Sequence, residues 1–253
     1  HPEDLVTLFN IMSGADRLDP WSRREIKTMS SPVDPARAVQ GKRALFIPAL
    51  GGNIADAQYQ AIVEKGLATL GDLGLDIDVA LDDPTEFQPG IATQMMTSNL
   101  AARVRQMPVK AQQLLGPVLQ SLLDEETFQS DGVRLQSDAI DRSRTYDRLE
   151  RVLSQYDFVL TPTLTAPPPL ADPNGDQRVT INGNKERVNK WWTHFSIANL
   201  TGHPAISIPC GIDTNNLPVG LHAIGGWDRD SDLVSLAFAS ITCFDWTERR
   251  PVY

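Results

Sequence analysis

The stretch Asn199-Leu200-Thr201-Gly202-His203-Pro204-Ala205-Ile206-Ser207-Ile208-Pro209-Cys210-Gly211 decides how this chain is read. Gly202 and Pro204 are turn formers, one through its free backbone and the other through its fixed φ. Behind them Ala205–Pro209 predicts a strand. A second quotation follows soon after: Leu217-Pro218-Val219-Gly220-Leu221-His222-Ala223-Ile224-Gly225, with a strand predicted at Val219–Ile224 and a helix from Asp230 to about Ile241. Upstream, Leu149, Val152, Leu153 and Tyr156 repeat at helical spacing within a helix predicted over Asp138–Tyr156. Asp157-Phe158-Val159-Leu160-Thr161 then reads as a strand. Pro162 and the run Pro167-Pro168-Pro169 cannot continue as helix or central strand.

The earlier residues alternate in the same way. Pro2 to Met12 predicts an amphipathic helix with Leu5, Leu8, Phe9 and Met12 at helical spacing, stopped by Gly14. Arg43–Ile47 and Leu75–Val79 predict strands on either side of a helix over Asp56–Leu73. Gly51-Gly52 matches no phosphate-loop spacing and reads as a plain turn. Residues 82–137 are rich in Gln, Met and Leu and predict a helical insertion or cap, with helices near Ile91–Arg105 and Val109–Leu123. Residues 171–190 are polar and predict a surface loop. The expected fold is therefore α/β, a mixed sheet sandwiched by helices with a helical insertion.

Composition narrows the function. The 253 residues are 41% hydrophobic and 22% charged, which is ordinary globular usage. A net charge of −9 argues against a nucleic-acid or anionic-membrane partner, and no apolar run approaches the ~20 residues needed to span a bilayer. Cys210 and Cys243 offer no metal spacing and read as reduced thiols of a cytoplasmic protein. The four histidines show no paired ligand spacing, so no metal or cofactor is expected. No GxSxG elbow is present, and Ser30-Ser31 precedes Pro32 without a glycine-rich loop. The chain offers no nucleophile with a convincing neighbourhood. It also begins at His1, directly on a helix, and so reads as part of something longer.

The segments Tyr156-Asp157-Phe158-Val159-Leu160-Thr161-Pro162-Thr163, Asn199–Gly211 and Leu217–Gly225 together resemble the carboxyl-terminal half of the amidase signature family. These are serine amidohydrolases with a Ser–cis-Ser–Lys triad. Order and approximate spacing agree, and Gly14-Ala15-Asp16-Arg17-Leu18-Asp19-Pro20 fits as well. His222 departs from the family's usual Gln. The resemblance implies hydrolysis of a linear carboxylic amide through an acyl-enzyme. It also implies that residues 1–253 are the downstream part of one amidase domain, because nothing here matches the Lys or the two Ser. Those groups would lie on a companion polypeptide or segment. Assembly of the complete enzyme into a homo-oligomer stays open.

This half would then supply pocket walls. Thr161, Pro162 and Thr163 end a strand, where ligands of α/β sheets bind. Trp191, Trp192 and Phe195 lead into Asn199 and read either as core residues or as contacts to the acyl or aryl part of a substrate. The resemblance places the turn of Asn199, Gly202 and His203 near that pocket. Two further readings remain: the glutamine-hydrolysing component of an amidotransferase, and a non-catalytic binding or assembly module with the same fold.

Overall fold

Side-chain alternation along the strands assigns each residue to one of two helical layers. The computed structural model describes residues 1–20, 22, 28–116, 119, 132–169 and 178–244. Its main sheet contains β1 (Arg43–Phe46), β2 (Asp76–Val79), β3 (Phe158–Pro162), β6 (Ala205–Ile212) and β7 (Pro218–Gly225), in the spatial order β2-β1-β3-β7-β6. β1 runs parallel to β2 and β3, whereas β7 is antiparallel to both β3 and β6. The expected mixed sheet is present.

On one face, Ala44, Phe46, Phe158, Leu160, Leu221 and Ala223 pack against α2 (Ala57–Asp72) and the final helix, α7 (Asp230–Ile241). On the other, Leu45, Val159 and Ile224 meet α3 (Pro89–Gln106), α5 (Gly132–Leu153) and α6 (Ser196–Thr201). Burying each large side chain of these two cores contributes roughly 1.5–3 kcal/mol. Asp56 caps α2 by accepting from the Gln58 N–H at 3.1 Å. No helix among the described residues is long and apolar enough to cross a membrane.

Four expectations change. Helix α1 (Pro2–Met12) turns Val6 and Phe9 onto Val234 and Phe238 of α7, leaving Leu5, Leu8 and Met12 exposed. The helix expected over Val109–Leu123 stops as α4 (Val109–Gln112), followed by a turn. The sequence has a proline at position 117, and a proline ring clashes with the carbonyl one helical turn back, so a continuous helix is disfavoured. Residues 117, 118 and 120–123 lie outside the described residues. α5 begins earlier than the expected Asp138. The loop expected over 171–190 contains a hairpin, β4 (Arg178–Ile181) and β5 (Asn184–Arg187); residues 171–177 lie outside the described residues. Asn182 and Gly183 both have positive φ, 50° and 79°, as a two-residue hairpin turn with strand-matching twist requires. The expected insertion over 82–137 contributes α3, which lies in the helical layer against α5 and α6.

Candidate functional site

The carboxyl end of β3 gathers polar groups from three strands. Thr161 is fully buried, and Thr163, two residues on, emerges partly exposed. The Thr163 N–H donates to the Gly220 carbonyl at 2.9 Å, which fixes its side chain over β7. There Thr163 Oγ1 lies 2.7 Å from Ser207 Oγ of β6. A Cβ on Gly220 would stand 2.7 Å from both hydroxyl oxygens, so a glycine is what lets them meet.

His222 is the register partner of both Thr161 and Ser207. Burial, reinforced by His194, pushes its pKa down to about 3, so it is neutral near pH 7. Its Nδ1 and the Thr161 Oγ1 are both buried without a hydrogen-bond partner among the described residues. His194 is fully buried as well and bridges the end of β3 to the loop before α2. Its Nδ1 lies 2.9 Å from the Pro162 carbonyl and its Nε2 2.7 Å from the Asn53 carbonyl. Both neighbours are acceptors, so a neutral ring donates to only one of them. Burial lowers the His194 pKa, against the pull of the two carbonyls and Asp83.

His194 also anchors the segment that carries the aromatic residues. Trp191 turns toward the β4–β5 hairpin: it packs beside Val179 and Ile181, and its Nε1 donates to the Ala166 carbonyl at 2.7 Å. Trp192 and Phe195 turn the other way. With Asn199 of α6 they line a groove of about 500 Å³ whose opposite wall is Met95 and Met96 of α3. The groove exists because α6 buries Ile197, Ala198, Leu200 and Thr201 and leaves Asn199 outward. Gly202 ends α6 with φ 80°, a left-handed conformation that glycine adopts at little cost.

The structure thus brings together Trp192, Phe195 and Asn199. It groups Thr161, Pro162 and Thr163 separately, joined to the aromatic segment through His194. Trp191, Gly202 and His203 lie apart from the groove lining. His203 instead turns its Nε2 to Glu150 Oε1 of α5, at 2.7 Å. Ser207, Gly220, His222 and His194 were not among the expected site residues, nor were the methionines of α3. Strand register ties the first three together, since it sets Ser207 beside His222 and leaves Gly220 two residues away on the same face of β7.

A family model described as Amidase matches residues 2–234. The chain belongs to the amidase signature family. Among curated relatives, an acylamidase of Rhodococcus erythropolis is 25% identical over 255 residues, covering 98% of this chain and 52% of the relative. A glutamyl-tRNA(Gln) amidotransferase component of Sulfolobus acidocaldarius is 37% identical over 92 residues, covering 36% of this chain and 17% of the relative. The crystal structure of a bacterial aryl acylamidase of the amidase signature family superposes with a TM-score of 0.82 at 20% identity, covering 99% of this chain and 54% of that one. At that identity the likeness establishes the fold. The chain spans about half the length of the relatives that it matches end to end, 52% and 54% in these two cases.

Proposed function

We propose that this chain forms the pocket half of an enzyme that hydrolyses a carboxylic amide through a serine acyl-enzyme. The Lys and the two Ser of a Ser–cis-Ser–Lys triad then reside on a segment or companion polypeptide beyond these 253 residues. An amide is stabilised by resonance, so its cleavage needs an activated nucleophile, donors for the oxyanion and a proton for the departing amine. In this reading the Ser oxygen adds to the carbonyl carbon as its proton passes through the second Ser to the neutral Lys, and the C–N bond breaks as the amine takes that proton from the Lys. Water then hydrolyses the ester. This chain positions the acyl or aryl part beside the nucleophile, which is where discrimination between amides arises.

The observation that carries the proposal is the convergence of Trp192, Phe195 and Asn199 on one apolar groove. The uncovered surfaces support the companion segment. β6 is the outer strand of the described sheet, and a second apolar groove of about 400 Å³ runs between it, α1 and α7, past Leu5, Ile206 and Ala237. Thr161, Pro162, Thr163, Gly202 and His203 belong to the pocket's frame in this proposal, and Trp191 to its support. Free Cys210 and Cys243 suit a reducing, cytoplasmic setting.

The test uses single Leu replacements of Trp192 and Phe195 in the full-length enzyme, each assayed on a small aliphatic amide and an aryl amide. At least one should change the ratio of the two kcat/KM values by about tenfold, ~1.4 kcal/mol, with little change in Tm. Equal losses on both substrates that track lost stability would overturn the pocket assignment. A fluorophosphonate should label the triad-bearing segment and not Ser30 or Ser31.

The amidotransferase reading is supported by likeness to glutamyl-tRNA(Gln) amidotransferase A components, over 92 residues in Sulfolobus and over more than nine-tenths of this chain in two Acinetobacter relatives. It requires a polar pocket for glutamine. Trp192, Phe195 and the two α3 methionines make most of the lining apolar, with Arg142 its one charged residue, and so favour a group with a longer apolar part.

A further inference from the structure

Arg142 carries a charge that no neighbouring acid answers. It lies on α5 one turn after Asp138, a spacing at which an Asp and an Arg ordinarily pair. Asp138 turns away from it: its Oδ1 lies 3.2 Å from Arg134 Nε, and its buried Oδ2 has no hydrogen-bond partner among the described residues. Asp141, the other acid close by on the helix, holds Arg144 at 2.8 Å. Among the described residues no acid pairs with Arg142. Its side chain instead lines the groove of Trp192, Phe195 and Met96.

The setting makes that charge selective. The chain is acidic overall, at −9, so a lone guanidinium at this groove stands against its background. Apolar side chains flank the exposed guanidinium, and their low polarity strengthens its attraction for a bound anion. A guanidinium presents a planar fork that matches a carboxylate in two parallel hydrogen bonds, and its flat face stacks on aromatic rings. One such group balances one negative charge. A phosphate, which carries close to two near pH 7, would leave excess charge against Trp192 and the methionines.

We propose that the groove takes an amide whose apolar arm ends in a carboxylate, with Arg142 as the residue that pairs with it. The assignment rests on the groove being the substrate pocket proposed above. Met95 and Met96 suit such a ligand, because unbranched thioethers adapt to flexible chains of differing length.

The test is equilibrium binding to the full-length enzyme of two ketones with no amide bond to cleave, hexanophenone and its ω-carboxyl counterpart 5-benzoylpentanoic acid. The acid should bind about tenfold more tightly or better, and the gap should shrink as salt rises. Arg142→Leu should erase the gap, and Arg142→Lys should keep part of it. Arg142 is exposed, so both variants should melt with the parent. Equal binding of the two ketones, no binding of either, or a gap that survives Arg142→Leu would each overturn the inference. Trp192→Leu separates the two levels. If it weakens both ketones while Arg142→Leu changes neither, the pocket stands and the carboxylate falls. If Trp192→Leu and Phe195→Leu change neither ketone, the pocket reading falls and the inference with it.

Discussion

The imidazole of His203 has no exposed side-chain surface, and its Nε2 lies 2.7 Å from Oε1 of Glu150. Its Nδ1 is 2.9 Å from Thr201 Oγ1, which in turn lies 2.9 Å from the Ile197 carbonyl. The pair joins α5 to the turn that ends α6, and through α6 to the wall of the groove. A carboxylate only accepts, so the Nε2–H is the donor.

Removing the acceptor should therefore be costly. Glu150→Ala would leave a buried ring N–H without its partner and should lower stability by about 1–3 kcal/mol. Urea unfolding of the full-length protein and its variant reads this directly. An unchanged midpoint would mean that water replaces the carboxylate freely and that the two helices are held by other contacts.

Acid should destabilise the fold through His222. Its folded pKa, about 3, lies below the ordinary 6.5, so the unfolded chain takes the proton first. The stability gained by keeping it neutral is complete above about pH 6.5 and drains as pH falls toward 3. One such group gives a slope of at most about 1.4 kcal/mol per pH unit. His194, also lowered by burial, acts in the same direction. Between pH 7 and 5 the wild type should lose more stability than His222→Gln, which cannot titrate. Parallel curves for the two proteins would sink this account.

Gly66 marks one close approach of α2 to the sheet. A Cβ there would stand 2.7 Å from Cys210 Cβ on β6, although a helix interior ordinarily favours Ala over Gly. Gly66→Ala should thus destabilise by about 1–3 kcal/mol, the cost of overpacking. The double variant Gly66→Ala/Cys210→Gly should recover most of the lost packing. A more stable Gly66→Ala protein would show that the helix rides farther from the strand.

Five strands and most helices were legible because their signals are local: the short apolar run Phe158–Leu160, or the stripe of Leu149 and Val152. The β4–β5 hairpin carries a local signal in Asn182-Gly183, but the polar stretch around it was expected to be a surface loop. The aromatic segment was only half legible. Sequence placed Trp191 and Trp192 side by side, yet the Ala166 carbonyl draws one indole away while the other faces the groove. The hydroxyl pair of Thr163 and Ser207 was not legible at all. It depends on a strand register set by packing between segments distant in the chain, and on the space above Gly220.

The sheet order carries a consequence for synthesis. β1 sits between β2 and β3, and the Arg43 N–H reaches its partner Asp157 across 114 residues of sequence. On the ribosome Leu45, Phe46 and Ile47 emerge long before Val159, and β3 in turn waits for β7. Loop closure of this length slows folding, and apolar strands stay unpaired meanwhile. A nascent chain so arranged is open to aggregation and is a natural client for chaperones that hold it until residue 225 is out.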